Sequence, residues 1–392
     1  MRSSGSRGPA TRSADVLLLR RRSPARAERA VLGTALVVAV TALAAAGQAA
    51  PRTPGVPACG VGHHLVLAAP PSGKAYAAAF PFFSNERRNE DAVSAQRIDS
   101  FEQLASRPLA WGYFSNHWLR GRIRFPTKAV DAIWQHGSMP FVRMMPWSRQ
   151  VQGEADPIFR MADIAGGRWD AEIAQWADDA RRSGIPIMVD FGPEMNGEWF
   201  PWNGAYAGEL AGAHAYRNAF RHVVTLFRQR GATNVSFAFH IDAEGEPAQA
   251  WNDPKQYYPG NAYVDWVGAS VYGADTPAYE WTPFSTGLAV AIVRLRSVAR
   301  GKPFAVFEWG VVEAPAKGDK ARWIDNAFRA LAEQRFAAVR AVSWWDERWE
   351  NDDGSWSDLR IDSSPGALAA YRRGIEDPRY EVAPRFACIA NS

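Results

Sequence analysis

The feature that most constrains this 392-residue chain is a rhythm. From residue 75 onward, short apolar runs rich in β-branched and aromatic residues recur eight times over about 300 residues, with amphipathic, Ala-rich stretches of helical period between most of them. Strands are expected at Ala75–Phe82, Leu109–Phe114, Met139–Met145, Ile185–Phe191, Asn234–His240, Val264–Tyr272, Phe304–Trp309 and Val339–Trp345. Helices are expected at Ala92–Ser106, Ala129–His136, Asp170–Ser183, Glu209–Arg230, Gly287–Arg300, Asp319–Gln334 and Pro365–Ile375. In the third of these, Ile173, Trp176 and Ala177 share one face, as a helix laid on a sheet requires. Gly184, Gly231 and Gly301 each stand between a helix and the next strand, where helix-ending glycines belong. Eight such units predict an α/β chain closed into a (β/α)₈ TIM barrel, one domain over residues 74–392. The rival, an open doubly wound sheet, usually carries a Gly-rich phosphate loop after its first strand. Here the first strand leads into Phe83-Ser84-Asn85-Glu86, without a glycine.

Charge first suggests an anionic partner, since the chain carries +4. The distribution removes that suggestion. Residues 1–52 hold nine Arg against Asp15 and Glu28, whereas the remainder has 36 basic and 39 acidic residues. The body is mildly acidic, and no nucleic-acid partner is expected. The basic segment precedes an uncharged apolar run, Val31–Ala46, in the order of a secretory signal. Residues 1–50 therefore predict export, with the leader cleaved or kept as a membrane anchor, followed by a Pro/Gly-rich linker at 51–73. The membrane is expected to be met only through that segment, and the protein is expected to be a monomer. Two cysteines, Cys59 and Cys388, are expected to pair in an exported protein. They lack metal-ligand spacing and the histidines are scattered, so no metal is expected.

In such a barrel the reacting groups stand at the C-terminal strand ends. The fourth run ends in Gly192-Pro193-Glu194-Met195-Asn196-Gly197-Glu198-Trp199-Phe200-Pro201-Trp202, and the seventh in Phe307-Glu308-Trp309-Gly310. Two carboxylates from nearly opposite strands can flank one glycosidic bond, one as acid and one as nucleophile or base. Of 17 Trp, none precedes Trp111, and Trp147, Trp199, Trp202, Trp309, Trp344 and Trp345 fall at or beyond expected strand ends. Their flat apolar faces suit pyranose rings, whereas Trp176, Trp266 and Trp323 read as core. Tyr272 ends the sixth run and is expected to donate to the carboxylate on the seventh. His240 and Asp242 end the fifth, and His240 reads equally as a contact to either Glu or as a structural hydrogen-bonder. Arg143 on the third run can balance the carboxylates, and Asp346 and Glu347 are substrate-subsite candidates or solvated loop charges.

At these residues the chain resembles glycoside hydrolase family 26, the endo-β-mannanase family of retaining barrel enzymes. The resemblance rests on Glu194-Met195-Asn196-Gly197-Glu198-Trp199-Phe200-Pro201-Trp202, on residues 257–268 leading to Tyr272, and on Lys302-Pro303-Phe304-Ala305-Val306-Phe307-Glu308-Trp309-Gly310. It implies acid/base Glu194 and nucleophile Glu308. It implies double displacement on a β-linked polysaccharide, β-mannan first, with no cofactor. Asn196, Trp199, Trp202, His240, Tyr272, Trp309, Trp344, Trp345 and Arg143 are the expected substrate contacts. The chain departs from the family in carrying Pro193 where His is usual and Asp190 where Arg is common. Cleavage of β-glucan, β-xylan or an exopolysaccharide therefore stays open. So does a degraded barrel that binds polysaccharide without cutting it.

Overall fold

The computed structural model describes residues 55–84 and 90–391. The expected leader lies outside these residues. Among the described residues, no helix is long and apolar enough to cross a membrane.

Thirteen strands occur among the described residues: β1 His63–Leu67, β2 Ala75–Pro81, β3 Trp111–His117, β4 Met139–Met145, β5 Ile187–Phe191, β6 Val235–Asp242, β7 Trp266–Tyr272, β8 Phe304–Gly310, β9 Val339–Asp346, β10 Arg348–Glu350, β11 Trp356–Asp358, β12 Tyr380–Glu381 and β13 Phe386–Ala390. Strands β2 to β9 pair in parallel and in chain order, and β2 pairs with β9 to close the ring. This is the (β/α)₈ barrel that the alternation implies. Its eight strands are the eight expected runs, with ends displaced by up to three residues. Helices follow most of them, and Asp170–Ser183 and Pro365–Ile375 keep their expected bounds. Between β6 and β7 the only α-helix is a single turn, Pro254–Tyr257, begun by Asp253 accepting from the Lys255 amide.

The barrel interior is a packed aromatic layer. Trp111 meets Phe141 edge-to-face at 5.6 Å, and Phe141 meets Phe307 at 5.0 Å. A bulge beside Phe307 turns the next residue inward as well. Ala269 pairs with Val306 but Ser270 pairs with Glu308, so Phe307 is an extra residue in β8. Gly268 on β7 leaves the room, since a Cβ there would lie 2.4 Å from the Phe307 ring.

The linker expected at 51–73 is corrected in part. Residues 63–67 are β1, which pairs antiparallel with β13. The ribbon lies against the N-terminal strand ends: Leu65 donates to the Thr233 carbonyl, and the buried His64 meets Asp265 at 3.0 Å. Cys59 and Cys388 are joined by a disulfide beside it, with Cα atoms 5.4 Å apart. The ribbon thus covers the end of the barrel opposite the C-terminal strand ends.

Candidate active site

Glu194 stands three residues beyond β5 on a loop whose backbone is unusual. Its φ is +49°, in the left-handed region that a Glu enters at a cost of order 1–3 kcal/mol. Hydrogen bonds hold it there: its amide donates to the His240 carbonyl at 2.9 Å, and its carbonyl accepts from the Gly197 amide at 2.8 Å. Trp199 Nε1 donates to Glu194 Oε2 at 2.9 Å. Only glycine fits at 197 in this arrangement, because a Cβ would lie 2.2 Å from the Trp199 ring. The motif spacing therefore has a local reason, since the ring folds back over Gly197 to reach the carboxylate.

Glu308 projects inward after the Phe307 bulge and is buried. Tyr272 donates to its Oε2 at 2.8 Å. Arg143 Nε lies 3.2 Å from Oε1 as an ion pair, without the alignment of a hydrogen bond. The Arg143 guanidinium also stacks 4.8 Å over Trp345, contacts Glu90 Oε2 at 2.5 Å and contacts Ser115 Oγ at 3.2 Å. Burial pushes the Glu308 carboxyl up to about 7, against the lowering field of Arg143 and with the raising field of Glu194. Oxygens of Glu194 and Glu308 and a ring nitrogen of His240 all lie within 4.8 Å of one another.

That spacing alone would suit a cation, but the donor set does not. Both His240 nitrogens are engaged, Nδ1 with Asp190 Oδ2 at 2.7 Å and Nε2 with Ser270 Oγ at 2.9 Å. The Arg143 guanidinium, moreover, already sits against Glu308.

Several expected sugar contacts are corrected. Successive residues of a strand face opposite sides. Trp345 faces the barrel interior, stacked on Phe80 at 4.0 Å, so Trp344 faces outward, where it meets Tyr371 and donates to the Leu359 carbonyl. Trp309 likewise points away from Glu308 into a cage of Phe284, Trp323, Phe328 and Trp344. Trp202 is buried under the loop, stacked on Phe200 and donating to the Pro193 carbonyl at 2.7 Å. Trp147 is buried with it. Asn196 is fully buried, and its amide side chain bridges to both the N–H and the carbonyl of Asp242. His240 is fully buried too and lies beneath the carboxylates. Asp346 is internal, accepting from the Ile361 amide, and is a loop anchor rather than a subsite residue. Glu347 is also buried and accepts from Trp345 Nε1 at 2.7 Å. Of the six tryptophans, Trp199 and Trp345 touch the carboxylate machinery.

Sequence reading passed over Tyr113 and Ser270 as functional residues. Tyr113 is buried in β3, donates to Asp190 Oδ2 at 2.6 Å and lies 3.2 Å from His240 Nδ1. A polar residue at an inward strand position was the available signal.

Comparison with known proteins follows the same residues. Glycosyl hydrolase family 26 matches residues 167–303, which hold Glu194, His240 and Tyr272. Endoglucanase H of Acetivibrio thermocellus is 31% identical over 285 residues, 72% of this chain and 29% of its own length. The chain is similar to glycoside hydrolase family 26 over the segment that carries Glu194. Mannan endo-1,4-beta-mannosidase A and B of Caldalkalibacillus mannanilyticus is 28% identical across 50% of this chain and 36% of its own length. The chain thus spans about a third of these two relatives. An endo-beta-1,4-mannanase double mutant of Cellulomonas fimi superposes with a TM-score of 0.56 at 18% identity, over 80% of this chain and 73% of that one, a likeness of fold.

Proposed function

We propose that this chain is an exported, retaining endo-β-glycosidase acting on a β-linked polysaccharide, β-mannan first. The observation that carries the reading is the Glu194–Glu308 pair, whose oxygens approach within 4.8 Å at the barrel mouth. Retaining enzymes hold their carboxyl groups about 5–5.5 Å apart, and inverting ones about 6.5–9.5 Å to admit a water. Glu308 Oε2 is fixed by Tyr272, whereas Oε1 accepts no hydrogen bond among the described residues and keeps a lone pair for attack.

In the first step Glu308 bonds to the anomeric carbon as the glycosidic C–O bond breaks, and Glu194 gives its proton to the leaving oxygen. In the second, Glu194 takes a proton from water, water oxygen bonds to the same carbon, and the ester to Glu308 breaks. Trp345 offers an aromatic wall beside Arg143. Support for mannan comes from the relatives named as mannan endo-1,4-beta-mannosidases, and support for glucan or β-1,3-xylan from those named Endoglucanase H and Beta-1,3-xylanase. Export rests on the basic and apolar order of residues 1–50.

Release of reducing ends from mannan, mixed-linkage glucan, β-1,3-xylan and exopolysaccharides tests this. Cleavage by the wild type, loss in Glu308→Ala and partial rescue by azide are expected. Binding without release, unchanged in Glu308→Ala, would identify a barrel that only binds.

A further inference from the structure

Beneath the two carboxylates lies a second, fully enclosed polar cluster that the double displacement does not use. Its centre is His240 on β6, with no exposed surface. Asp190 on β5 approaches Nδ1 at 2.7 Å and Ser270 on β7 approaches Nε2 at 2.9 Å. Tyr113 on β3 donates to the same Asp190 oxygen and lies 3.2 Å from Nδ1. Glu194 and Glu308 face the ring from above, and the Phe307 ring packs against it at 5.2 Å. Arg143 on β4 faces Glu308 and the Tyr113 ring.

Asp190 is also fully buried, and its Oδ1 has no hydrogen-bond partner. A carboxylate enclosed with half its acceptors unmet is costly unless a cation compensates it. The side chain that faces it and can carry that charge is His240, and both groups of the contact are enclosed. Asp190 thus needs a positive ring, and the ring in turn lies against the two glutamates.

We propose that Asp190 and His240 form a buried ion pair that positions an imidazolium beside Glu308 and Glu194, so that Glu308 is kept ionised for attack. This rests on the glycosidase reading for its consequence, but not for its existence. His240 is a positioning residue, with both nitrogens turned to protein and its charge acting through Glu308. Burial is the largest single influence and opposes protonation of the ring, but Asp190, Glu308 and Glu194 together outweigh it and raise the ring's proton affinity.

The test begins with the unliganded full chain, labelled with ¹⁵N-histidine. Long-range ¹H–¹⁵N correlation, with the His240 signals assigned by their loss in His240→Gln, should show both ring nitrogens protonated at pH 7. In Asp190→Asn, which keeps the shape and the hydrogen-bond acceptor, the ring should turn neutral at least one pH unit lower, the size expected for loss of an adjacent opposite charge. A neutral His240 at pH 7 in the wild type would overturn the proposal, whatever the stability of Asp190→Asn. With a cleaved substrate in hand, the acidic limb of kcat/KM should move up by about one pH unit in Asp190→Asn. A limb that stays put while rate falls would reduce the pair to packing and overturn its role. A chain that cleaves nothing yet shows the imidazolium would support the pair while removing the glycosidase reading.

Discussion

Tyr272 Oη donates a 2.8 Å hydrogen bond to Glu308 Oε2, and it does so from the strand next to the one that carries the carboxylate. The bond favours the ionised form of Glu308 and opposes the burial that pushes the group up to about 7. A hydrogen bond to a charged group contributes about 1.5–3 kcal/mol. In Tyr272→Phe we expect kcat/KM to fall roughly 10- to 100-fold at pH 7. Loss of the bond leaves Glu308 protonated to higher pH, so the acidic limb should also move up. A uniform fall at all pH values would mean that the phenol serves only to bind sugar.

Glu308→Gln should lose nearly all turnover and gain stability, with the gain depending on pH. The folded carboxyl binds its proton more tightly than the unfolded one, whose usual value is about 4.3. Its stabilising contribution is therefore complete below about pH 4 and is lost as pH rises through about 7. The melting temperature of Glu308→Gln should exceed that of the wild type near about pH 8, and the two should converge near about pH 5. Equal differences at both values would count against a destabilised, ionised Glu308.

The tryptophans divide by strand face, and the division is measurable. Trp309→Ala should cost about 3–5 kcal/mol of stability through the cavity it opens among Phe284, Trp323 and Trp344, with KM little changed in whatever protein remains folded. Trp345→Ala, which removes the surface under Arg143, should weaken substrate binding or turnover directly. Paired melting and kinetic measurements would reveal the reverse pattern if the faces were exchanged.

Reduction should act at the other end of the barrel. The disulfide spans 329 residues of sequence beside the β1–β13 ribbon, and loops of such length give stabilisation of about 2–5 kcal/mol. The Cys59→Ser, Cys388→Ser double variant should melt roughly 5–10 °C lower and keep its cool-temperature kcat. A simultaneous loss of kcat would show that the ribbon shapes the cleft.

The barrel was legible because each strand and helix announces itself in its own residues, and eight such units close in only one common way. Glu194, Glu308, Tyr272 and Arg143 were legible as strand-end polar residues in apolar surroundings. The facing of Trp309 and Trp344 was misread because neighbours within a strand were credited to the same side, which the period of two forbids. Asn196 was misread because a loop residue is assigned by its backbone partners, here Asp242, 46 positions away. Strand β1 was hidden in a stretch rich in Pro and Gly, since its partner β13 lies at the far end of the chain.

The inserted residue in β8 ties together two properties that most enzymes can vary separately. Phe307 supports the innermost aromatic packing, and the next residue is Glu308, the proposed attacking group. Repacking the core at this point would swing the carboxylate, and adjusting the carboxylate would disturb the core. Compensating changes in either should therefore come from the opposing walls, at Phe141, Gly268 or Tyr272, and sparing Phe307 is the safer course for anyone redesigning the cleft.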